Sequence, residues 1–218
     1  MKKLLSVLLI LCMCFALVAC GNEDTSETKA TEAGTVANQS DAATVAAPVT
    51  PAAKDKTLVV YFSATGNTEK IAGYIATVTG GDLHKIVPVN AYSSDDINYN
   101  DKNSRSTKEQ NDKNARPAIS SKIENWADYD KIFIGFPIWW YEEPRIMDTF
   151  VESYDFTGKT VVTFCTSGSS GIGSSAKNLE GLAKGKGKWL DGTRIDVNIT
   201  HNDMCTWVNG LGLGYNAK

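Results

Sequence analysis

The sequence predicts a doubly wound α/β sandwich: a five-stranded parallel sheet in the order 2-1-3-4-5, covered by helices on both faces. Three observations carry this. From residue 57 onward, short apolar runs alternate with stretches of helical spacing, the pattern of consecutive βαβ units. The runs at 58–62, 131–136 and 160–165 are almost continuously apolar, as strands are when helices cover both faces. The 162 residues of 57–218 suit one domain with a sizeable core.

The elements follow in chain order. Leu58 to Phe62 forms the first strand. Ile71, Ile75 and Val78 then recur at helical spacing, and Leu83 to Val87 supplies the second strand. Ile119, Ile123 and Trp126 predict a helix before the third strand, Lys131 to Phe136. Ile146, Met147, Phe150 and Val151 follow Pro144, a residue suited to the first turn of a helix. Thr160 to Cys165 is the fourth strand. A helix over about 174–183 rests on Ser174 or Ser175 as N-cap and on Leu179 and Leu182. Arg194 to Ile199 reads as the fifth strand and 203–211 as the last helix, burying Trp207, Val208 and Leu211. Lys184, Lys186 and Lys188, interleaved with glycines, read as a solvated turn.

One segment breaks the alternation. Residues 91–115, AYSSDDINYNDKNSRSTKEQNDKNA, are polar and turn-rich, and a loop of this length is often a lid or binding segment. Asp96, Asn98 and Asn100 alternate as in a calcium loop, but the sixth position is Asp101 rather than Gly and the twelfth is Thr107 rather than Glu. A solvated excursion is the expectation, with contact to a ligand left open.

Two segments precede the domain. Residues 1–20 have a basic start, Met1-Lys2-Lys3, and an apolar run from Leu4 to Ala19 that is shorter than the roughly 20 residues of a membrane span. The run ends in Leu17-Val18-Ala19-Cys20, which resembles the bacterial lipobox; that resemblance implies lipidation of Cys20 and an extracytoplasmic, membrane-anchored lipoprotein. The alternatives are an ordinary signal peptide or an uncleaved anchor. Residues 21–56 contain no aromatic residue and carry six acidic residues against three lysines, the composition of a disordered polar tether.

Charge and cysteine usage narrow the function. Residues 57–218 hold 17 Lys and Arg against 19 Asp and Glu, without the basic excess usual in a nucleic-acid binder. Only Cys165 and Cys205 fall in the domain, and no Cys-x-x-Cys exists, which argues against a zinc site. A disulfide between the two is left open. His84, inside the second strand, reads as structural, and His201 either approaches a site or caps the last helix.

The chemistry concentrates after three strands. Ser63-Ala64-Thr65-Gly66-Asn67-Thr68 offers hydroxyls, an amide and a glycine at a helix start, where unpaired N–H groups and a partial positive charge favour an anion. Gly-Lys-Ser/Thr and Gly-x-Gly-x-x-Gly are both absent, so a nucleoside triphosphate and a dinucleotide are not indicated. A plain βα turn is the alternative. After strand 3 comes Pro137-Ile138-Trp139-Trp140-Tyr141-Glu142-Glu143, three adjacent aromatics suited to a flat π system. Neighbouring residues on extended backbone point to opposite sides, so one tryptophan is expected in the core. After strand 4 comes Thr166-Ser167-Gly168-Ser169-Ser170-Gly171, small and rich in donors, or merely flexible. The Gly-x-Ser-x-Gly elbow of serine hydrolases is not met there.

Tyr61-Phe62-Ser63-Ala64-Thr65-Gly66-Asn67-Thr68 resembles the FMN-phosphate loop of flavodoxins, and the likeness is greatest to the flavodoxin-like group of bacterial lipoproteins. The resemblance extends over 57–218. It implies that FMN is bound by 63–68, by Pro137, Ile138, Trp139 and Trp140, and by 166–171. It departs from electron-carrier flavodoxins in the long insertion and in lacking their acidity. The implied function is electron transfer through FMN, with a redox protein or small-molecule acceptor as partner, and membrane contact through the lipid anchor. An FMN-dependent oxidoreductase passing hydride from NAD(P)H to a quinone is the first alternative. A non-catalytic interaction module on the same fold is the other. Glu142 and Glu143 are expected near the ring, lowering its potential, and Cys165 is expected to be buried.

Overall fold

The structure, a computed structural model, describes residues 55–218. The expected signal peptide 1–20 with Cys20, and tether residues 21–54, lie outside the described residues. Lys56, the last residue assigned to the tether, is tied to the domain: its carbonyl accepts from Asp130 N–H (3.0 Å) and its ammonium meets Asp82 (2.9 Å).

Five parallel strands, β1 (Thr57–Tyr61), β2 (Asp82–Lys85), β3 (Lys131–Pro137), β4 (Thr160–Thr166) and β5 (Lys188–Arg194), lie in the order β2-β1-β3-β4-β5. The helices are α1 (Asn67–Thr79), α2 (Arg105–Asn111), α3 (Arg145–Glu152), α4 (Ser175–Leu182) and α5 (His201–Gly210). Because side chains alternate across a strand, the apolar runs split cleanly between two layers. Leu58, Val60, Ile132, Ile134 and Val161 face Ile146, Met147, Phe150 and Leu179 of α3 and α4. Val59, Tyr61, Phe133, Val162 and Phe164 face Ile71 and Ile75 of α1 and Met204 and Val208 of α5. Each fully buried side chain of this kind contributes roughly 1.5–3 kcal/mol against exposure. The centre of the sheet therefore needs no alternation in the sequence.

Three expectations require correction. The fifth strand is Lys188–Arg194, not Arg194 to Ile199. The later segment does alternate, and Ile195 N–H still bonds Cys165 O (2.9 Å). Pairing then ends because Asp196 closes a turn, its carboxylate accepting from Asn198 N–H (2.8 Å) and its carbonyl from Ile199 N–H (3.0 Å). The true β5 is a partly exposed edge strand, so Trp189 and Leu190 are its main apolar residues and Lys188 belongs to it rather than to a turn. A register shift opposite Val162–Phe164 falls at Gly192, where a Cβ would meet Thr163 Oγ1 at 2.2 Å.

The helix expected from Ile119, Ile123 and Trp126 shrinks to one 3-10 turn, Trp126–Asp128. The backbone of 118–120 is occupied elsewhere. Val89 N–H bonds Ala118 O and Ser120 N–H bonds Val87 O, each 2.8 Å, making an antiparallel bridge between Pro88 and Ile119. Residues 91–115 are not a solvated excursion. They contain α2, whose Ser106, Thr107 and Gln110 are buried, with Ser104 as N-cap. Its inward face is polar, so apolar periodicity gives no sign of it. The last helix starts at His201 with Thr200 as cap, the Thr200 hydroxyl accepting from Asp203 N–H (3.2 Å).

Candidate functional site: a cleft across the ends of β1, β3 and β4

The carboxyl ends of β1, β3 and β4 are neighbours in the sheet, so the loops that follow them converge. The first loop turns on Gly66, which has φ 91° and caps α1 without any side-chain hydrogen bond to the helix. A Cβ at Gly66 would meet nothing within 4 Å, so the demand on this position is conformational, not steric. The Ser63 hydroxyl accepts from Gly66 N–H (3.0 Å) and stiffens the loop. Thr68 is buried and shares a 2.8 Å hydrogen bond with Thr166 Oγ1, clasping the first loop to the end of β4. Ala64 packs against the core, while Thr65 and Asn67 stay exposed.

The second loop continues β3. Ile138 N–H bonds Thr166 O (3.0 Å), and Trp139 and Glu142 exchange backbone hydrogen bonds of 2.9 and 3.0 Å. Between them Trp140 and Tyr141 have φ 46° and 68°, the double left-handed geometry of a type I′ turn. Asn and Gly usually occupy such positions. Aromatic residues pay on the order of 1–2 kcal/mol each to adopt that conformation. The turn separates the two tryptophans. Trp139 is buried, edge-on to Phe62 (5.5 Å) and Tyr92 (5.1 Å), whereas Trp140 is half-buried and stacks on Tyr99 at 4.4 Å and 29°.

The third loop leaves β4 at Thr166. The Ser167 hydroxyl donates to the Ser170 carbonyl, while Gly168, Ser169 and Gly171 are exposed. Two adjoining spaces lie between the loops. One, of about 430 Å³, runs between Trp140 and Tyr141 on one side and Ser167–Ser170 on the other. The second, of about 270 Å³, reaches from Ile138 and Ser167 down to Thr65 and Asn67 at the start of α1. Tyr99, Ile138, Ser167 and Gly168 line both, which makes them one cleft. Its described lining is aromatic, apolar or neutral and polar, with no ionised side chain.

The structure thus brings together Thr65, Asn67, Pro137, Ile138, Trp140 and the 166–170 segment, with the edge of Trp139 behind them. It places Thr68 in the clasp beneath the cleft. Tyr99, which the sequence reading did not single out, comes from the insertion; its hydroxyl donates to Ile138 O (3.3 Å). Its one signal was being, with Tyr92, one of two aromatic residues in a mostly polar tract.

Glu142 and Glu143 correct an expectation. Both line a separate cavity of about 260 Å³ with Arg145, Arg116 and Asp148. Glu142 bonds Arg145 Nη2 at 2.6 Å, and Glu143 is buried within 3.8 Å of the same guanidinium. Burial raises the Glu143 carboxyl above its ordinary range, and burial together with the nearby Glu143 charge pushes Asp148 up to about 7. Cys165 is buried, which pushes its thiol up to about 12, so no thiolate is available near the cleft at neutral pH. Cys165 and Cys205 are both free. His84 is half-buried in β2, its pKa lowered by burial, and His201 Nε2 meets Lys218 O (2.6 Å).

The sequence model of one family, described as flavodoxin, matches residues 56–211. No curated protein matches the chain. Among solved structures, a candidate flavoprotein from Bacteroides eggerthii is 44% identical, with TM-score 0.68 over 72% of this chain and 98% of that one. A second, from Bacteroides uniformis, is also 44% identical, with TM-score 0.67 over 71% and 97%. A flavoprotein solved in complex with FMN, from Lactobacillus acidophilus, is 23% identical over 64% and 92%, with TM-score 0.51, a likeness of fold.

Proposed function

Because the chain belongs to the flavodoxin family, we propose that it is an FMN-binding redox protein that passes electrons through the bound flavin. FMN supplies one- and two-electron chemistry when bound; the protein supplies binding and surroundings. The observation that carries the reading is the single cleft joining the start of α1, Trp140 and the 166–170 loop. The residues fit the cofactor. The uncapped α1 terminus with Thr65 and Asn67 offers neutral donors for a terminal phosphate. Trp140 and Tyr141 offer aromatic faces for a flat ring. The backbone N–H groups of Ser167 to Gly171 suit the polar edge of that ring. Thr68 holds the two binding loops at a fixed separation through Thr166.

A second reading, an oxidoreductase passing hydride from NAD(P)H to a quinone or similar acceptor, is supported by Tyr99. The insertion adds an aromatic wall at the mouth of the cleft, where a planar acceptor would approach the ring. Turnover of NADH with a quinone favours this reading, and its absence favours a carrier with a redox protein as partner. The same proposal places the domain outside the cytoplasm, anchored through lipid on Cys20. Cys20→Ser then shifts the protein from the membrane fraction to the soluble fraction, and an unchanged distribution refutes the anchor.

The test of the cofactor is a fluorescence titration of the purified full-length chain, stripped of ligand, with FMN and riboflavin in parallel. FMN quenched in a tight stoichiometric complex, with riboflavin bound at least tenfold more weakly, is the expected result. Equal and weak responses to both sink the reading.

A further inference from the structure

The polar face of α2 has no role in the cleft lining, yet it reaches the back of the aromatic turn. Gln110 is buried, and its Nε2 donates to Trp139 O (3.0 Å) and to Glu143 O (3.1 Å), so one amide grips the chain on both sides of the Trp140–Tyr141 pair. The backbone carbonyl of Gln110 accepts from Arg145 Nη2 (3.3 Å), and the same nitrogen bonds the Glu142 carboxylate (2.6 Å). Gln110 and Arg145 therefore hold residues 139, 142 and 143, which flank two residues in the left-handed region. Left-handed backbone in aromatic residues persists only where the surroundings over-determine it. Here Gln110 Nε2 and Arg145 Nη2 are the donors that do so.

We propose that Gln110, braced by Arg145, is a positioning residue for the flavin site. It keeps the 139–142 turn in its strained form and so fixes Trp140 and Tyr141 as the wall of the cleft. The proposal rests on the FMN reading and gives a role to the buried polar helix that the long insertion of this chain carries. Gln110 itself lines neither space of the cleft; among the described contacts its side chain meets the lining only at the Trp139 carbonyl, where the turn begins, and it does not touch the phosphate loop. Its effect on ligand must therefore pass through the turn.

The test is a double-mutant cycle on the full-length chain with Gln110→Ala and Tyr141→Gly, titrated with FMN and with riboflavin. Glycine adopts the φ of 68° at position 141 without strain, so the turn then depends less on its support. Gln110→Ala in the parent weakens FMN and riboflavin by the same factor, about tenfold, because the ring wall is lost and the phosphate loop is not. In the Tyr141→Gly background the same substitution weakens both by about threefold or less. Coupling of this kind is not produced by a generally loosened fold, which gives the same factor in both backgrounds. An equal factor in the two backgrounds, or no loss in the parent, overturns the proposal. If Gln110→Ala lowers the melting point below the titration temperature, Gln110→Met, which fills the volume without donors, is read by the same criteria. A parent that binds no FMN refutes the cofactor reading instead, a separate result seen before any variant is made.

Discussion

Asp148 shows how one buried carboxyl becomes a property of the protein. It lies on α3 with Arg145 (3.4 Å) and Arg116 (3.6 Å) beside it and Glu143 facing it, and burial outweighs the two cations. A carboxyl raised from 3.8 to about 7 keeps its proton in the folded chain where the unfolded chain has lost it. Stability from this group is therefore present at low pH and declines as pH rises from about 4 to 7. His84, whose pKa burial lowers, acts in the opposite direction across its own titration, so the test must isolate Asp148. Asp148→Asn keeps the neutral form at every pH. Calorimetry should find that the melting point of the parent falls between about pH 4 and 7 relative to that of the variant; parallel profiles contradict the assignment. Nothing in the sequence announces this, because Asp148 sits at an ordinary position of a helix and its neighbours arrive from residues 116 and 143.

At the scale of elements, legibility followed how each element is buried. β1, β3 and β4 lie inside the sheet and must be apolar on both faces, so their runs were readable, and with them the strand order. The loops at their carboxyl ends were readable for the same reason, since a glycine and hydroxyls after an apolar strand stand out. β5 was misplaced because an edge strand can be Lys188-Trp189-Leu190-Asp191-Gly192-Thr193-Arg194, with few apolar residues, while the regular alternation of 194–199 is cut off by the Asp196 turn. α2 escaped because its buried face is Ser106, Thr107 and Gln110, which hydrophobic periodicity does not see. The same blindness hid Gln110 and Tyr99 from the candidate site. With so polar a buried face, α2 depends on its capped end. The Ser104 hydroxyl accepts from Thr107 N–H (3.4 Å) and shares a 2.8 Å bond with Thr107 Oγ1. Ser104→Ala should cost about 1 kcal/mol, a fall of roughly 2–4 °C in melting point for a chain of this size. An unchanged melting point would mean that α2 does not need its cap.

Over the whole molecule, the two apolar layers share every central strand, and neither can open without exposing the other. Unfolding in urea should be a single transition. Trp126 and Trp139 report one layer and Trp207 the other, so fluorescence should coincide with far-ultraviolet circular dichroism. Transitions that separate would show that the layers fail independently. Saturating FMN at about 100 times its dissociation constant should add about 2.7 kcal/mol to that stability.

The clasp between Thr68 and Thr166 also has a meaning in time. Its two hydroxyls are 98 positions apart, and the Tyr215 hydroxyl that bonds Thr57 Oγ1 (2.7 Å) comes 158 positions after its partner. At roughly 5–20 residues per second of synthesis, the first binding loop leaves the ribosome many seconds before the strand that completes the cleft, and the tail that pins β1 arrives last. A growing chain has no finished pocket to load. If the domain is exported unfolded, it reaches the far side of the membrane empty, and its supply of flavin must be found there.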